Sequence, residues 1–349
     1  MGSRCWLTTT LLVLSTMAVA GGASTVPTGL QRGVVFTRYP SIADNAQLLR
    51  RLVSPLNAYR IEQRLGGNAL TLRAHPLDPA KQRFAMYVPS GPAPPSGYAL
   101  LVFVPPWDDA RVPQQWIPAL DRHHMIFISA AHSGNDANVL ERREPLTLLA
   151  EYNITKRYRI DPARVYVGGF SGGSRVALRL ALGYPDVFRG ALLDAGSDPI
   201  GTVQVPLPPS GLLHRFQQTT RIVSLTGNRD YIRQAMAART RESLQRWCVF
   251  DRDSVTMPFV GHALAGADAF DRALDALAHT EPPDATRLAG CRAHNTRALD
   301  VRLAQVQASL GQGKWDKARK LLDGVDAQFG GLAAPRSVDL MRKLDFRVK

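Results

Sequence analysis

The segment 165–175, which reads VYVGGFSGGSR, places one serine among four glycines at a change of sequence pattern. Residues 165–167 are a short apolar run typical of a buried strand, and residues 175–182 have the spacing of a helix. Ser171 is therefore expected at a sharp turn between a strand and a helix. Such a turn strains the serine backbone and leaves no room for neighbouring Cβ atoms, which explains the glycines.

Short apolar runs and helix-like segments alternate on both sides of this motif. Strand candidates lie at 83–88, 98–104, 125–129, 165–167, 191–193, 222–225 and 254–259, and helix candidates lie at 146–158, 175–182, 231–247 and 267–278. Alternating strands and helices are typical of a parallel sheet that is covered on both faces. The sequence therefore predicts an α/β domain over residues 83–279, with a mostly parallel sheet.

The N-terminal part of the chain has two other patterns. Residues 1–20 carry Arg4, then an apolar run, then the small residues Ala18-Val19-Ala20, which together predict a signal peptide. Residues 21–82 are expected to form an N-terminal helical arm, helical over 26–65, and a leading strand at 69–73.

The C-terminal part follows the break Glu281-Pro282-Pro283-Asp284. Helix candidates at 297–310 and 315–329, joined by a short glycine-containing link, predict a helical hairpin within an appendage at 288–349. Because one hairpin buries little surface alone, we expect it to pack on the α/β domain. The alternative is that these helices contact a partner protein.

The serine hydroxyl of the motif needs a base that removes its proton and a carboxylate that orients this base. After a serine at a strand-to-helix turn, the acid and then the histidine are expected further along the chain. Asp230 follows the strand candidate 222–225, and His262 follows the strand candidate 254–259. The sequence therefore predicts Ser171 as nucleophile, Asp230 as acid and His262 as base, with the N–H of Gly172 at a helix N-terminus facing a developing oxyanion.

The acid and the base both have competitors. Asp194 and Asp198 follow the strand candidate 191–193 and are alternative acids. His279 lies at the end of a helix candidate and His294 lies beyond the C-terminal break, so both are outside the expected context.

Three stretches of sequence carry a resemblance to a known family. IDPARVYV at 160–167 leads into GFSGG at 169–173, and YPDVF follows at 184–188. Over about residues 83–279 the chain resembles the α/β-hydrolase branch that contains polyhydroxyalkanoate depolymerases and feruloyl esterase-like secreted esterases. The resemblance implies the α/β-hydrolase fold and the same three residues, Ser171, Asp230 and His262, in the same roles.

The loop after the first core strand departs from this branch. Members usually have a His-Gly-rich segment there that donates the second oxyanion N–H, whereas this chain has Pro105-Pro106-Trp107-Asp108. Proline has no N–H to donate. The donor is therefore expected to be Trp107 or Asp108, with the alternatives that Trp107 walls the acyl pocket or belongs to the core.

Two further loops have open interpretations. Residues 132–136 follow a strand candidate and either line the substrate cleft or form a surface turn. Residues 199–218 form an insertion that is either a lid or a rigid peripheral loop.

Composition excludes several classes of protein. The formal net charge is +14, or +13 without Arg4, but the basic residues are dispersed among acids, so no nucleic acid partner is expected. The sequence has no transmembrane segment and no cluster with metal-ligand spacing, and we expect neither metal nor cofactor. Cys248 and Cys291 remain after removal of the signal peptide, either as a disulfide or as two separate thiols.

These observations predict an exported serine esterase, periplasmic or extracellular, that forms an acyl-enzyme on Ser171. A peptidase on the same fold and an inactive hydrolase-fold binding protein are the alternatives. Polyesters, feruloylated polysaccharides and small acyl esters all remain open as substrates.

Overall fold

The computed structural model describes residues 1–2, 27–66, 74, 77–279 and 281–346. The predicted signal peptide and the predicted leading strand at 69–73 lie outside the described residues. Within the described part of the chain, no helix is both long and apolar enough to cross a membrane.

Eight strands form one mixed sheet in the order β1-β2-β4-β3-β5-β6-β7-β8. β2 runs antiparallel to both of its neighbours, and all pairs from β4 onward are parallel. The strands are β1 Gly29–Val34, β2 Phe84–Val88, β3 Tyr98–Val104, β4 Met125–Ala130, β5 Ile160–Phe170, β6 Gly190–Asp194, β7 Arg221–Gly227 and β8 Arg252–Met257.

Helices cover both faces of this sheet. Along β3, Leu100 and Val102 face one apolar cluster and Leu101 and Phe103 face the other, as the two-residue period of a strand requires. The helices of the α/β domain are α3 Ile117–Arg122, α4 Glu144–Arg157, α5 Gly172–Gly183, α6 Ser210–Thr219, α7 Tyr231–Arg246 and α8 Ala267–Ala278. The predicted fold class is therefore confirmed.

The N-terminal segment differs from its prediction. Helices α1 Asn45–Leu52 and α2 Pro55–Arg64 lie where a helical arm was expected, but the helical prediction is wrong over β1, an edge strand that pairs with β2. β1 reads GLQRGV and has a mostly exposed pattern, so it lacks the apolar periodicity on which a strand prediction depends.

The predicted C-terminal hairpin is present, and a third helix extends it. α9 Ala285–Gly311 begins twelve residues before the predicted start, and α10 Trp315–Phe329 and α11 Arg336–Phe346 follow. Apolar side chains of all three helices belong to the same buried cluster as one face of the sheet, and the Phe329 ring meets Trp247 edge-on at 5.7 Å. The three helices thus pack on the α/β domain.

A disulfide joins Cys248, just after α7, to Cys291 in α9. The bridge fixes the start of the C-terminal helices against the end of α7. Of the two alternatives for these cysteines, a disulfide or two separate thiols, the structure has the disulfide.

The loop at 199–209 is part of this packing. The amide of Gly331 donates to the carbonyl oxygen of Leu207 at 2.6 Å, and the amide of Ile200 donates to Ser243 Oγ at 3.0 Å. Since Leu207 is 1% exposed, the segment is a rigid peripheral loop and not a lid over a cleft.

Candidate active site

The serine of the glycine-rich motif lies at the turn between β5 and α5. Its backbone has φ 54° and ψ −116°, a left-handed conformation that a residue with a Cβ rarely adopts. The amide of Ser171 donates to the carbonyl oxygen of Asp194 at 2.8 Å, which ties the turn to the end of β6. The neighbouring strand therefore holds the turn in this strained conformation, in which the serine hydroxyl lies above the sheet.

Two glycines of the motif are required by contact. A Cβ on Gly169 would overlap the backbone of Gly173, and a Cβ on Gly173 would overlap the carbonyl oxygen of Val104. The two ends of the turn are thus in contact with each other, and the turn also contacts the end of β3. The loop that follows β3 consequently lies beside Ser171.

The structure brings the three predicted residues into one hydrogen-bonded chain. His262 Nε2 lies 3.0 Å from Ser171 Oγ, and His262 Nδ1 lies 2.7 Å from Asp230 Oδ2. Because a carboxylate only accepts hydrogen bonds, Nδ1 carries the proton and Nε2 is left to accept from the serine hydroxyl. This is the arrangement in which a histidine can act as a general base.

Each member of this chain is held in place by its surroundings. Asp230 is buried and caps α7, where its Oδ1 accepts from the amide of Arg233 at 3.2 Å. The His262 ring stacks on Phe170, the residue before Ser171, at 5.1 Å. His262 nevertheless keeps 40% of its side chain exposed, so substrate can approach it.

The competing acids are engaged elsewhere. Asp194 is 1% exposed and accepts from the amide of Ala265 at 2.9 Å, and burial raises the pKa of its carboxyl to about 7. Asp198 pairs with Arg175 Nε at 2.6 Å. Neither carboxylate bonds to His262, so of the three candidate acids Asp230 is the one that contacts it.

The predicted oxyanion donors lie on two adjoining segments. Gly172 begins α5, so its N–H points out of a helix N-terminus. The amides of Trp107 and Asp108 donate to no other residue in the described part of the chain, which leaves them free to bind an oxyanion. The Trp107 ring lies 6.3 Å from Phe170 and 4.0 Å from the Arg111 guanidinium, and it packs half-buried against the apolar cluster that contains Phe103.

The loop at 132–136 lines the site. The amide of His132 donates to the carbonyl oxygen of Asp108 at 2.6 Å, and the amide of Gly134 donates to Asp108 Oδ1 at 3.2 Å. The Asn135 amide group lies directly against Gly172, because a Cβ there would overlap its Oδ1. This loop therefore supports the Trp107–Asp108 segment and also contacts the turn at Ser171.

Arg143 connects these three segments. The sequence pattern did not predict this role. Its guanidinium is 3% exposed and donates to the carbonyl oxygens of Ser133 at 2.9 Å, Pro105 at 2.8 Å and Gly172 at 3.5 Å. Burial lowers the pKa of Arg143 to about 10, although the adjacent Glu144 carboxylate opposes this shift. In the sequence, Arg143 lies in the charged run ERRE, which is typical of an exposed helix face.

Exposed apolar side chains lie next to Asp230 and His262 in the sequence. Tyr231 and Ile232, directly after Asp230, are 76% and 72% exposed, and Phe259, three residues before His262, is 75% exposed. The described residues include no group of three or more His, Cys, Asp or Glu side chains that could hold a metal ion.

The strand order and the site together define the class of protein. A serine elbow after β5, an acid after β7 and a histidine after β8 occupy the carboxyl edge of a mostly parallel sheet, in the chain order of the α/β-hydrolases. The chain therefore has the α/β-hydrolase fold.

Comparison with known proteins gives a partial sequence match. No family model matches the chain. A segment of 80 residues is 38% identical to NocK, a candidate esterase of Nocardia uniformis subsp. tsuyamanensis, and covers 23% of this chain and 21% of that relative. The chain thus spans about a fifth of this relative's length.

Solved structures that match part of the chain have low sequence identity to it. A feruloyl esterase module from Clostridium thermocellum, determined with sinapinate, has a TM-score of 0.45 at 12% identity and covers 58% of this chain and 85% of its own. The BES protein from Bacillus cereus has a TM-score of 0.44 at 13% identity, covering 59% and 93%.

Proposed function

We propose that this protein is a serine hydrolase that cleaves carboxylic esters. The observation that carries the proposal is the continuous chain from Ser171 Oγ through His262 to Asp230, with separations of 3.0 and 2.7 Å. Both separations are within hydrogen-bonding reach, as a nucleophile and its base require. A strained serine backbone at the tip of the elbow adds a second feature of this chemistry.

In the first half of the proposed reaction, Ser171 Oγ attacks the ester carbonyl carbon while His262 Nε2 takes the hydroxyl proton. The carbonyl oxygen becomes an oxyanion that accepts from the N–H of Gly172 and from the N–H of Trp107 or Asp108. When the tetrahedral intermediate collapses, the bond to the alcohol oxygen breaks and His262 returns the proton to the leaving alkoxide. The product of this half is an acyl-enzyme ester on Ser171.

In the second half, a water molecule takes the place of the alcohol. His262 removes a proton from the water, which attacks the acyl carbonyl, and collapse releases the carboxylic acid as Ser171 regains its proton. Asp230 keeps the proton on Nδ1 throughout and stabilises the imidazolium form of His262.

The preference for esters over amides is the finer part of this proposal. The partial match to NocK supports it, as does the resemblance of GFSGG and its flanking segments to secreted esterases. An amide needs stronger protonation of its leaving group, so a direct comparison of matched substrates decides between esterase and peptidase.

We also propose that the protein is exported to the periplasm or the medium. The pattern of residues 1–20 supports export, and so does the disulfide between Cys248 and Cys291, because such bonds persist in oxidising compartments. Fractionation of the native host, with mass spectrometry of the mature N-terminus, tests this proposal. A protein in the cytosolic fraction with residues 1–20 intact would refute it.

The test of the enzymatic proposal is labelling with a fluorophosphonate probe and location of the adduct by mass spectrometry. We expect an adduct on Ser171 of the folded wild-type protein and none in Ser171→Ala. The absence of an adduct in the folded wild type would refute the proposal and favour an inactive binding protein.

Substrate assays follow from a positive result. A p-nitrophenyl ester and the p-nitroanilide of the same acyl group separate esterase from peptidase, and we expect turnover of the ester alone. The rates of hydrolysis of a small acyl ester, a feruloyl ester and a polyhydroxyalkanoate film then show which of the three substrate classes the protein prefers.

A further inference from the structure

A groove lies on the sheet, away from Ser171, Asp230 and His262. It occupies about 740 Å³ between α7 and the face that β7 and β8 turn toward this helix, and none of the triad residues lines it. Hydroxyl side chains from both strands form its floor, namely Ser224, Thr226, Ser254 and Thr256. Ser224 and Thr226 are half-buried and Ser254 and Thr256 are exposed, so these hydroxyl groups are accessible from solvent.

Three guanidinium groups line the same cavity, from Arg241 in α7, Arg252 in β8 and Arg287 in α9. We name this cavity the arginine groove. None of the three arginines has an ion pair with a carboxylate within residues 27–66, 77–279 and 281–346. The acidic side chain in the lining, Asp253, pairs with Arg221 at 3.3 Å.

The three positive charges are close enough to repel one another. The pKa of Arg252 is lowered by its burial and further by the charges of Arg287 and Arg241. Placing like charges together without a counter-ion is unfavourable, and a bound anion would remove that repulsion.

Two of the three arginines, Arg252 and Arg287, are held by neighbouring groups before any ligand binds. Arg252 donates to the carbonyl oxygen of Val249 and to Gln245 Oε1, each at 3.3 Å. The Arg287 guanidinium stacks on the Phe250 ring at 3.9 Å, and the disulfide at Cys291, one helical turn further along α9, anchors this part of the helix. A ligand therefore meets a largely preorganised site.

We propose that the arginine groove binds a small hydroxyl-rich anion, namely a sugar that carries a phosphate or a carboxylate group. Guanidinium groups suit the oxygen atoms of phosphate and carboxylate, with which they form charge-assisted pairs. The serine and threonine hydroxyls of the floor both donate and accept, as sugar hydroxyls do. The cavity volume is in the range of small-molecule sites, roughly 300–1,000 Å³.

An alternative explanation of these arginines is protection of a sheet edge. β8 pairs only with β7 in the described sheet, and charged side chains on edge strands prevent pairing with other chains. Such protection requires no contribution from α7 and α9 and no hydroxyl floor. The two explanations differ in whether the groove binds a ligand, so binding decides between them.

The test is calorimetric titration of the full chain with glucose 6-phosphate, glucuronate, glucose and inorganic phosphate. We expect both charged sugars to bind with dissociation constants of about 1 mM or below, and glucose not to bind. Inorganic phosphate should bind at least about tenfold more weakly than glucose 6-phosphate, because it lacks the hydroxyl contacts.

Arg287→Gln and Arg241→Gln should each weaken binding of the charged sugars by about tenfold or more. The matched control is Arg297→Gln, which makes the same charge change at an exposed position of α9 and should leave binding unchanged. In the wild type, glucose 6-phosphate should protect Arg287 and Arg241, but not Arg297, from modification by phenylglyoxal, which tests the site without any variant.

Absence of binding by both charged sugars up to about 10 mM would overturn the proposal and leave edge protection as the role of the arginines. Equal weakening by Arg297→Gln would overturn it as well, because binding would then follow net charge alone. Phosphate binding as tight as that of glucose 6-phosphate would refute the role of the hydroxyl floor. Fluorophosphonate labelling of Ser171 should be unchanged in Arg287→Gln, so this proposal stands or falls separately from the enzymatic one.

Discussion

The Nη2 atom of Arg143 donates to the carbonyl oxygen of Pro105 at 2.8 Å. Pro105 and Pro106 begin this loop and cannot donate an N–H. The next two residues, Trp107 and Asp108, carry the free amides. The same guanidinium reaches Gly172, the other predicted donor, through its carbonyl oxygen. We therefore propose that Arg143 is a positioning residue that holds the two sides of the proposed oxyanion hole together.

Arg143→Gln should lower kcat for an ester substrate by about 10- to 100-fold, with KM changed less than about threefold. The reason is that displaced donors stabilise the transition state less, while the ground-state ester binds as before. The free energy of unfolding should also fall by about 2–4 kcal/mol, because buried carbonyl oxygens lose a charged donor. Steady-state kinetics and urea unfolding measure both effects.

The control for Arg143 is a variant that is destabilised to a similar degree far from the site. Leu299→Ala, in the core between α9 and the sheet, should lose about 2–5 kcal/mol of unfolding free energy and keep the wild-type kcat below its melting temperature. A folded Arg143→Gln with wild-type kcat would show that this arginine acts on stability alone. Arg143→Lys, which retains the charge, should recover part of the lost kcat.

Asp230→Asn should lower kcat by about four orders of magnitude while leaving the fold intact. The asparagine can still cap α7 through the amide of Arg233, so the free energy of unfolding should change by less than about 1 kcal/mol. The imidazole of His262, however, is no longer held with its proton on Nδ1. Ester turnover and the rate of fluorophosphonate labelling should fall together.

Asp198→Asn is the comparison for this variant, because Asp198 is one of the two competing acids and pairs with Arg175 instead of His262. We expect its kcat within about threefold of wild type. A larger loss in Asp198→Asn than in Asp230→Asn would exchange the roles of the two acids.

Gly173→Ala should prevent formation of the native elbow, because the added Cβ would overlap the carbonyl oxygen of Val104. We expect a loss of at least about 3 kcal/mol in unfolding free energy or a failure to fold. Gly290→Ala in α9, where the Cβ meets open space, should instead stabilise the protein by about 0.5–1 kcal/mol. Equal effects of the two substitutions on unfolding would contradict the close packing of the elbow.

The α/β core follows from the sequence because its strands are buried on both sides and its helices on one. β3 and α8 have the predicted bounds, since a continuous apolar run and an amphipathic period are strong local signals. The positions of Ser171, Asp230 and His262 after β5, β7 and β8 allowed their prediction as a group, because the carboxyl ends of parallel strands meet at one edge of the sheet. Their chemical roles remain predictions.

The missed features depend on contacts between distant segments. β1 is a short exposed edge strand whose pairing with β2 has no apolar signature. Arg143 donates to main-chain carbonyl oxygens of three separate segments, and the residue types of those segments do not predict the contact. The helix α6 follows a proline-rich loop that packs under the C-terminal helices, so its composition indicated a loop.

Asp194 should make the stability of the protein decrease as pH rises from about 4 to about 7. Burial raises the pKa of its carboxyl from 3.8 to about 7, so the folded chain binds this proton more tightly than the unfolded chain does. The stabilisation is complete below the unfolded pKa and is lost as pH rises through the folded pKa, by about 4 kcal/mol in total. Urea unfolding at about pH 4, 6 and 8 measures this slope.

Asp194→Asn should remove the part of that slope that Asp194 contributes, while Glu151, whose carboxyl pKa burial also raises to about 7, keeps its own part. The asparagine carbonyl can still accept from the amide of Ala265, but its NH₂ group would occupy the place of Oδ1, which has no partner in the described part of the chain. An unpaired amide costs about 1–3 kcal/mol, so the variant should be less stable than wild type at about pH 4 and more stable at about pH 8. Asp109→Asn, at an exposed position, makes the same charge change and should keep the wild-type slope. If Asp194→Asn kept that slope too, the pH dependence would belong to other groups and Asp194 would be ionised in the folded protein.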